Sequence, residues 1–257
     1  MSRPGRLLRW VIRAAFCLSW AAPAQARGVV SLNLCTDQLL VLLAPERVAA
    51  LEPLARDPAL SFVAAQAANL PSVRADAEAV LRLRPELVLA GRFGAQTTVA
   101  LLRDRGVPVV QLDEPQDFAG IAEQTMQLAT RLGLAARGAA LVSAMKARLA
   151  AIRVAPHGRA LFWEAGGWTA GPGSLSDSVM RAAGWQDAGT GGRMGVEALL
   201  AHPPDLLVTE TAPQFPSMAT DLAWHPALRG LARRSVPPPL LICGGPFTAG
   251  AVEILAQ

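Results

Sequence analysis

Residues 77–90 read AEAVLRLRPELVLA, and residues 196–209 read VEALLAHPPDLLVT. Laid over one another, the two stretches share Glu78 with Glu197, Ala79 with Ala198, Leu81 with Leu200, Pro85 with Pro204 and Leu87 with Leu206. Most other positions exchange one aliphatic residue for another, or Glu86 for Asp205. Each stretch has a helical period up to its proline and a continuous apolar run after it, which is the pattern of a short helix feeding a strand buried on both faces. A chain that repeats this unit 119 residues apart is expected to contain two related α/β lobes.

The same alternation continues on either side of the two stretches. Residues 28–32 read as a strand, 36–43 as a helix ended by Pro45, and 47–51 as a second strand. Beyond the first quoted block lie a helix over 97–105 and a strand over 107–112. Residues 117–153 keep a helical period throughout, broken at Gly133, with a long second helix from Ala135. Alternation then resumes with a strand over 159–163, helices over 175–183 and 196–201, strands over 205–209 and 239–242, and a final helix from Thr248. Strands alternating with helices of this length predict parallel sheets. The expected architecture is two Rossmann-like lobes, 27–134 and 154–257, joined by one inter-lobe helix over 135–153. The last helix is short and is expected to cover the second lobe thinly.

The first 26 residues are read separately. Arg3, Arg6, Arg9 and Arg13 precede a mostly apolar run over 11–22, and Ala24-Gln25-Ala26 is a small-x-small cleavage site, so 1–26 is expected to be a signal peptide cut after Ala26. The run is too short for a permanent membrane span. Cys17 follows bulky Phe16, which argues against lipidation there. This segment carries four of the 24 Lys and Arg residues and none of the 20 acidic ones, so the remainder is neutral, and the pI of 9.7 is no sign of nucleic-acid binding. The two other cysteines, Cys35 and Cys243, sit near opposite ends of the chain and read as two partly buried free thiols, although an exported protein permits a disulfide.

Several chemistries find no residues to run on. The sequence has no Tyr, and its three histidines, His157, His202 and His225, lack ligand spacing, which disfavours a metal-ion site. An exported hydrolase is the rival from another class. Ser174 and Ser176 in GPGSLS lack the G-x-S-x-G elbow, and Cys35 has no histidine placed to activate it. The GTGGRMG run at 189–195 lacks the lysine and hydroxyl of a phosphate loop. No catalytic residue and no cofactor are expected.

In parallel α/β folds ligands bind beyond the carboxyl ends of the strands, which here nominates residues 33–36, 91–94, 113–115, 164–168, 213–215 and 244–247. The candidate cleft residues on these loops and strand ends are Asn33, Cys35, Arg92, Phe93, Trp163, Trp168, Phe215 and Phe247. Trp163 and Trp168 bracket the Gly-rich EAGGWTAGPG, a backbone suited to close approach, whereas Trp185 and Trp224 read as core residues. An aromatic lining with an arginine suits a large, flat or anionic ligand.

The stretches GVVSLNLCTDQLLVLLAPERVAAL (28–51), AEAVLRLRPELVLAG (77–91) and LICGGPFTAGAVEILA (241–256), together with the long central helix, resemble the periplasmic binding proteins that serve ABC importers of ferric siderophores and vitamin B12. The likeness rests on the order and spacing of these segments across the chain after residue 26. It implies two rigid lobes with the ligand between them, little hinge motion, a monomer, a periplasmic location, and an ABC permease with its ATPase as partner. It also implies that Glu78 and Glu197, each seven residues before its proline, dock onto permease arginines. Taken alone, each glutamate only complements a helix dipole. The tryptophan that the vitamin B12 binder carries after this strand is replaced here by Arg92, which favours an anionic ferric siderophore-type chelate, with cobalamin or another corrinoid as the alternative.

Overall fold

The computed structural model describes residues 28–211 and 217–257. The expected signal peptide and Phe215 lie outside these residues. In the first half, β1 (Val29–Ser31) leads to α1 (Leu34–Leu43), β2 (Val48–Ala50), α2 (Ala64–Ala67), α3 (Ala77–Arg82), β3 (Leu87–Gly91), α4 (Gln96–Asp104) and β4 (Val109–Leu112). Two helices follow, α5 (Phe118–Arg131) and α6 (Ala135–Ala151). The second half contains β5 (Arg159–Phe162), β6 (Trp168–Thr169), α7 (Leu175–Ala182), β7 (Gln186–Asp187), β8 (Gly192–Arg193), α8 (Val196–Ala201), β9 (Leu206–Glu210), α9 (Met218–Asp221), β10 (Arg233–Val236) and α10 (Ala249–Leu255).

The two halves carry the same sheet. The first runs β2-β1-β3-β4 and the second β7-β5-β9-β10, every pairing parallel. The register repeats in the pairings of the central strands β3 and β9. Leu87 faces Val29 and Val88 faces Val109, while 119 residues on Leu206 faces Ala160 and Leu207 faces Arg233. The quoted blocks occupy equivalent places in full: α3 and α8 have six residues each, β3 and β9 five, with the same burial along the strand. Both strands are buried on both faces. Leu87 and Leu89 pack into one cluster and Val88 into another, and Leu206 and Val208 are divided from Leu207 in the same way. That is why their sequences read as continuous apolar runs.

Caps fix the helix starts. Asn33 Oδ1 accepts from the backbone N–H of Cys35 (2.9 Å) and Thr36 (3.3 Å), Asp76 caps α3 through Ala79 N (2.8 Å), and Ser174 caps α7 through Asp177 N (3.2 Å). Helices α5 and α6 approach so closely that a Cβ on Gly138 would stand 2.4 Å from the Cβ of Ala129. Leu141 of α6 packs against the first half and Leu149 against the second, and Arg137 pairs with Glu46 (3.0 Å) as Arg148 pairs with Glu253 of α10 (2.7 Å). Despite its length of seven residues, α10 buries Ala249, Ala251, Val252 and Leu255.

Two expectations fail. Cys35 and Cys243 are not free thiols but a disulfide, with Cα atoms 5.1 Å apart across a sequence separation of 208. Distance along the chain concealed their proximity, because both lie at the carboxyl-end face where the two halves meet. The expected strand over 239–242 is instead a 3-10 turn, Pro238–Leu240, and the sheet is completed by Arg233–Val236. Three consecutive prolines at 237–239 have no N–H to give a ladder, while the paired strand begins with two arginines and so hides from a search for apolar runs.

Candidate ligand cleft

A cavity of about 360 Å³ lies beyond the carboxyl ends of β5, β9 and β10, and its wall comes from both halves. Pro58 and Leu60 contribute from the first half, and Trp163, Glu210, Trp224 and Ile242 from the second.

The first-half wall is held by the opening turn of α1. Asp37 accepts from the backbone N–H of Glu52 (3.2 Å) and Gln38 Oε1 from that of Phe62 (2.7 Å), so the loop carrying Pro58 and Leu60 is anchored at both ends. Asp37 is completely buried, and loss of water pushes its carboxyl up to about 8. Cys35 in the same turn makes the disulfide to Cys243. Just beyond it, Phe247 stacks on Phe62 with ring centroids 4.6 Å apart, and Gly244 leaves room for Pro115, whose Cγ would lie 2.5 Å from an added Cβ.

In the second-half wall, Trp163 follows β5 and is 1 % exposed, its indole N–H donating to Met194 O at 3.0 Å. Trp224, 48 % exposed, carries the Arg233 guanidinium over its ring at 4.8 Å. Glu210 ends β9, and Glu164 comes directly after Trp163. Burial raises both carboxyls, and the charge of Glu210 raises Glu164 further. Neither makes an ion pair or a side-chain hydrogen bond among the described residues. No Lys, Arg or His lines the cavity among the described residues, nor do three or more His, Cys, Asp or Glu converge as metal ligands.

The residues expected at the cleft are therefore divided. Trp163 lines the cavity. Asn33 is spent as the cap of α1, Cys35 in the disulfide, and Phe247 (4 % exposed) in packing against Phe62. Arg92 lies outside the lining and is held by Asp113, with Nη2 2.7 Å from Oδ2, which keeps its guanidinium above the ordinary value. Phe93 (71 % exposed) and Trp168 (52 % exposed) are surface aromatics outside it. Glu78 is exposed and pairs with Arg82 of its own helix (2.9 Å), and Glu197 is exposed on α8.

Trp224, read as core, proves to be cavity wall, whereas Trp185 is packed as expected, stacked on His157 and donating to Leu255 O at 2.9 Å. Sequence reading missed Glu210 as well. It stands one position beyond the second quoted block, where the first block has Gly91, and a carboxylate closing an otherwise apolar strand was its visible signal.

Two parallel α/β halves with a cavity walled by both have the architecture of the two-lobed periplasmic binding proteins. The chain belongs to the periplasmic binding protein family, whose model matches residues 29–232. The family is one of binding proteins and not enzymes. A cobalamin-binding protein of Halobacterium salinarum is 32% identical over 145 residues, covering 51% of this chain and 39% of the relative, so the match spans well under half of that relative's length. Among solved structures, the apo periplasmic heme-binding protein RhuT of Roseiflexus sp. RS-1 superposes with a TM-score of 0.71 at 23% identity, covering 90% of this chain and 96% of the other. A periplasmic heme-binding protein from Pseudomonas aeruginosa gives 0.68 at 24% identity, with coverages of 90% and 91%.

Proposed function

We propose that this protein is the exported solute-binding component of an ABC importer and that the cavity between its halves takes a corrinoid of the cobalamin type. The carrying observation is the lining itself: Trp163, Trp224, prolines and Ile242, with Glu210 and no cation among the described residues. Flat aromatic and apolar walls suit the faces and edges of a macrocycle, and a carboxylate suits a rim of amide N–H groups. The identity with a cobalamin-binding relative supports the same cargo. A cavity of about 360 Å³ encloses part of such a ligand, and the rest extends past its mouth. A ferric siderophore-type chelate is the second reading, favoured by Arg92 and Phe93, exposed together beyond β3.

In this reading the halves correspond to residues 27–134 and 154–257, joined through 135–153, the leader is cut after Ala26, and the protein works as a monomer. Glu78 and Glu197 would meet a two-fold permease with one carboxylate from each half. Rim charges of this kind set orientation and encounter rate and leave release fast.

Titration of tryptophan fluorescence with cyanocobalamin, a ferric siderophore and hemin tests the cargo. Saturable quenching by cyanocobalamin, with Trp224→Ala weakening it, is expected. Saturation only by the siderophore, abolished by Arg92→Ala, would transfer the assignment to the chelate.

A further inference from the structure

The central strands β3 and β9 pair with their neighbours in the same register, yet the residues that follow these strands and their partners β1 and β5 differ in charge. Glu210 takes the place that Gly91 holds in the first half, and Glu164 the place of Asn33, since Trp163 N donates to Val208 O as Leu32 N donates to Leu89 O. The first-half counterparts are thus a bare glycine and a neutral amide. The ends of β5 and β9, adjacent in the sheet, present two half-buried carboxyl groups with no cation beside them among the described residues. Glu210 lines the cavity together with Trp163, the prolines at 237–239 and Ile242, while Glu164 lies outside the lining and close enough to feel the charge of Glu210. A fold that only needed a polar strand end could have used Gly or Asn, as its own other half does.

We propose that Glu210, with Glu164 behind it, is the specificity-determining group of the cleft: it accepts hydrogen bonds from amide or ammonium N–H groups on one edge of the ligand and excludes ligands that present a carboxylate there. This rests on the reading of the cavity as the cargo site and adds its selection rule. Glu210 is the group that touches the ligand, and Glu164 is a positioning residue whose charge reinforces the field. Charge on one wall alone also fixes which ligand edge faces the second half. A like charge in a poorly solvated pocket is penalised far more than at an open surface, whereas an N–H donor there makes a charge-assisted bond.

Two measurements test this. The first compares binding of cyanocobalamin with that of a cobalamin derivative in which one peripheral propionamide has been hydrolysed to the acid. The wild type is expected to prefer the amide by roughly tenfold or more, Glu210→Gln to bring the two within about twofold by gaining affinity for the acid, and Glu164→Gln to fall between them. The second needs no cargo: collisional quenching of tryptophan by iodide against caesium, in a Trp168→Phe background. With each salt scaled to its quenching of free tryptophan, the iodide-to-caesium contrast in that background should shift toward iodide when Glu210→Gln is added, Arg233 over Trp224 being common to both proteins. Thermal melting of each variant confirms that it is folded. Absence of cyanocobalamin binding together with this shift in quenching contrast would sink the corrinoid reading and uphold the acidic filter. An unchanged amide preference or an unchanged quenching contrast in Glu210→Gln would overturn the filter.

Discussion

Asp37 is a carboxyl group without access to water, and its protonation links the pH of the surroundings to the wall of the cleft. Burial raises it to about 8, so between the ordinary carboxylate range and that value the folded protein holds a proton that the unfolded chain has released. The sign follows directly. The stability this proton contributes is complete below the unfolded value, falls as pH rises, and is gone above about 8. Glu164, Glu210 and Asp187, all raised by burial, act in the same direction. Asp37→Asn, which keeps an acceptor for Glu52 N, is expected to flatten the decline and to stabilise the protein on the alkaline side by on the order of a few kcal/mol. Urea unfolding of both proteins between about pH 5 and pH 9 measures it, and an Asn variant that keeps the full slope would place the proton elsewhere. Nothing in the sequence singled this residue out, because an aspartate in the first turn of a helix has a sufficient ordinary reason to be there. Trp224 read as a core residue for a similar reason. A tryptophan between short turns can fill a core or face a cavity, and only the three-dimensional path of the loop decides.

At the level of elements, what could be read early was whatever repeats with a period. The two quoted blocks predicted α3 with β3 and α8 with β9 to within a residue, since helical spacing, proline and a doubly buried strand leave little freedom. What escaped was irregular: the strand led by Arg233 and Arg234, the polyproline turn, and the loop over 52–62 that forms the first-half wall. Close packing of α5 on α6 gives a direct test. Gly138→Ala should cost about 1 to 3 kcal/mol in thermal or urea unfolding, because the new methyl meets that of Ala129, and Ala129→Gly should recover part of it in the double variant. The exposed carboxylates of α3 and α8 give another. Glu78→Lys loses only an i,i+4 surface pair, worth a few tenths of a kcal/mol, so melting and ligand affinity should hardly move. Combined with Glu197→Lys it should abolish most uptake in a cellular transport assay. Normal uptake by the double variant would leave both glutamates as helix-start residues only.

For the molecule as a whole, the halves are held together by more than the chain running between them. Helix α6 is clamped to one half by Arg137 and to the other by Arg148, Phe62 stacks on Phe247, and a disulfide joins the first helix to the segment before the last. Small-angle scattering with and without cyanocobalamin is expected to give superposable curves. A clear contraction on binding would show a hinge that these ties fail to restrain. Replacing both Cys35 and Cys243 by Ser should lower stability by up to about 5 kcal/mol in the chain-entropy view, and hydrogen exchange should then rise first in the Phe62 and Phe247 segments.

That disulfide also sets an order of events in time. Cys35 leaves the ribosome, and on the proposed route crosses the membrane, long before Cys243, so its thiol waits for a partner 208 residues behind. The only other cysteine, Cys17, lies in the segment expected to be cut away. With the leader removed on the proposed route, a single intramolecular pairing is left to be made, and in the folded protein it is made where the two halves meet. Folding of the second half raises the effective concentration of Cys243 at Cys35, so closure is expected to accompany assembly. A thiol-alkylation pulse after export should trap a reduced, cleaved intermediate and then a single oxidised product, with no ladder of isomers between them.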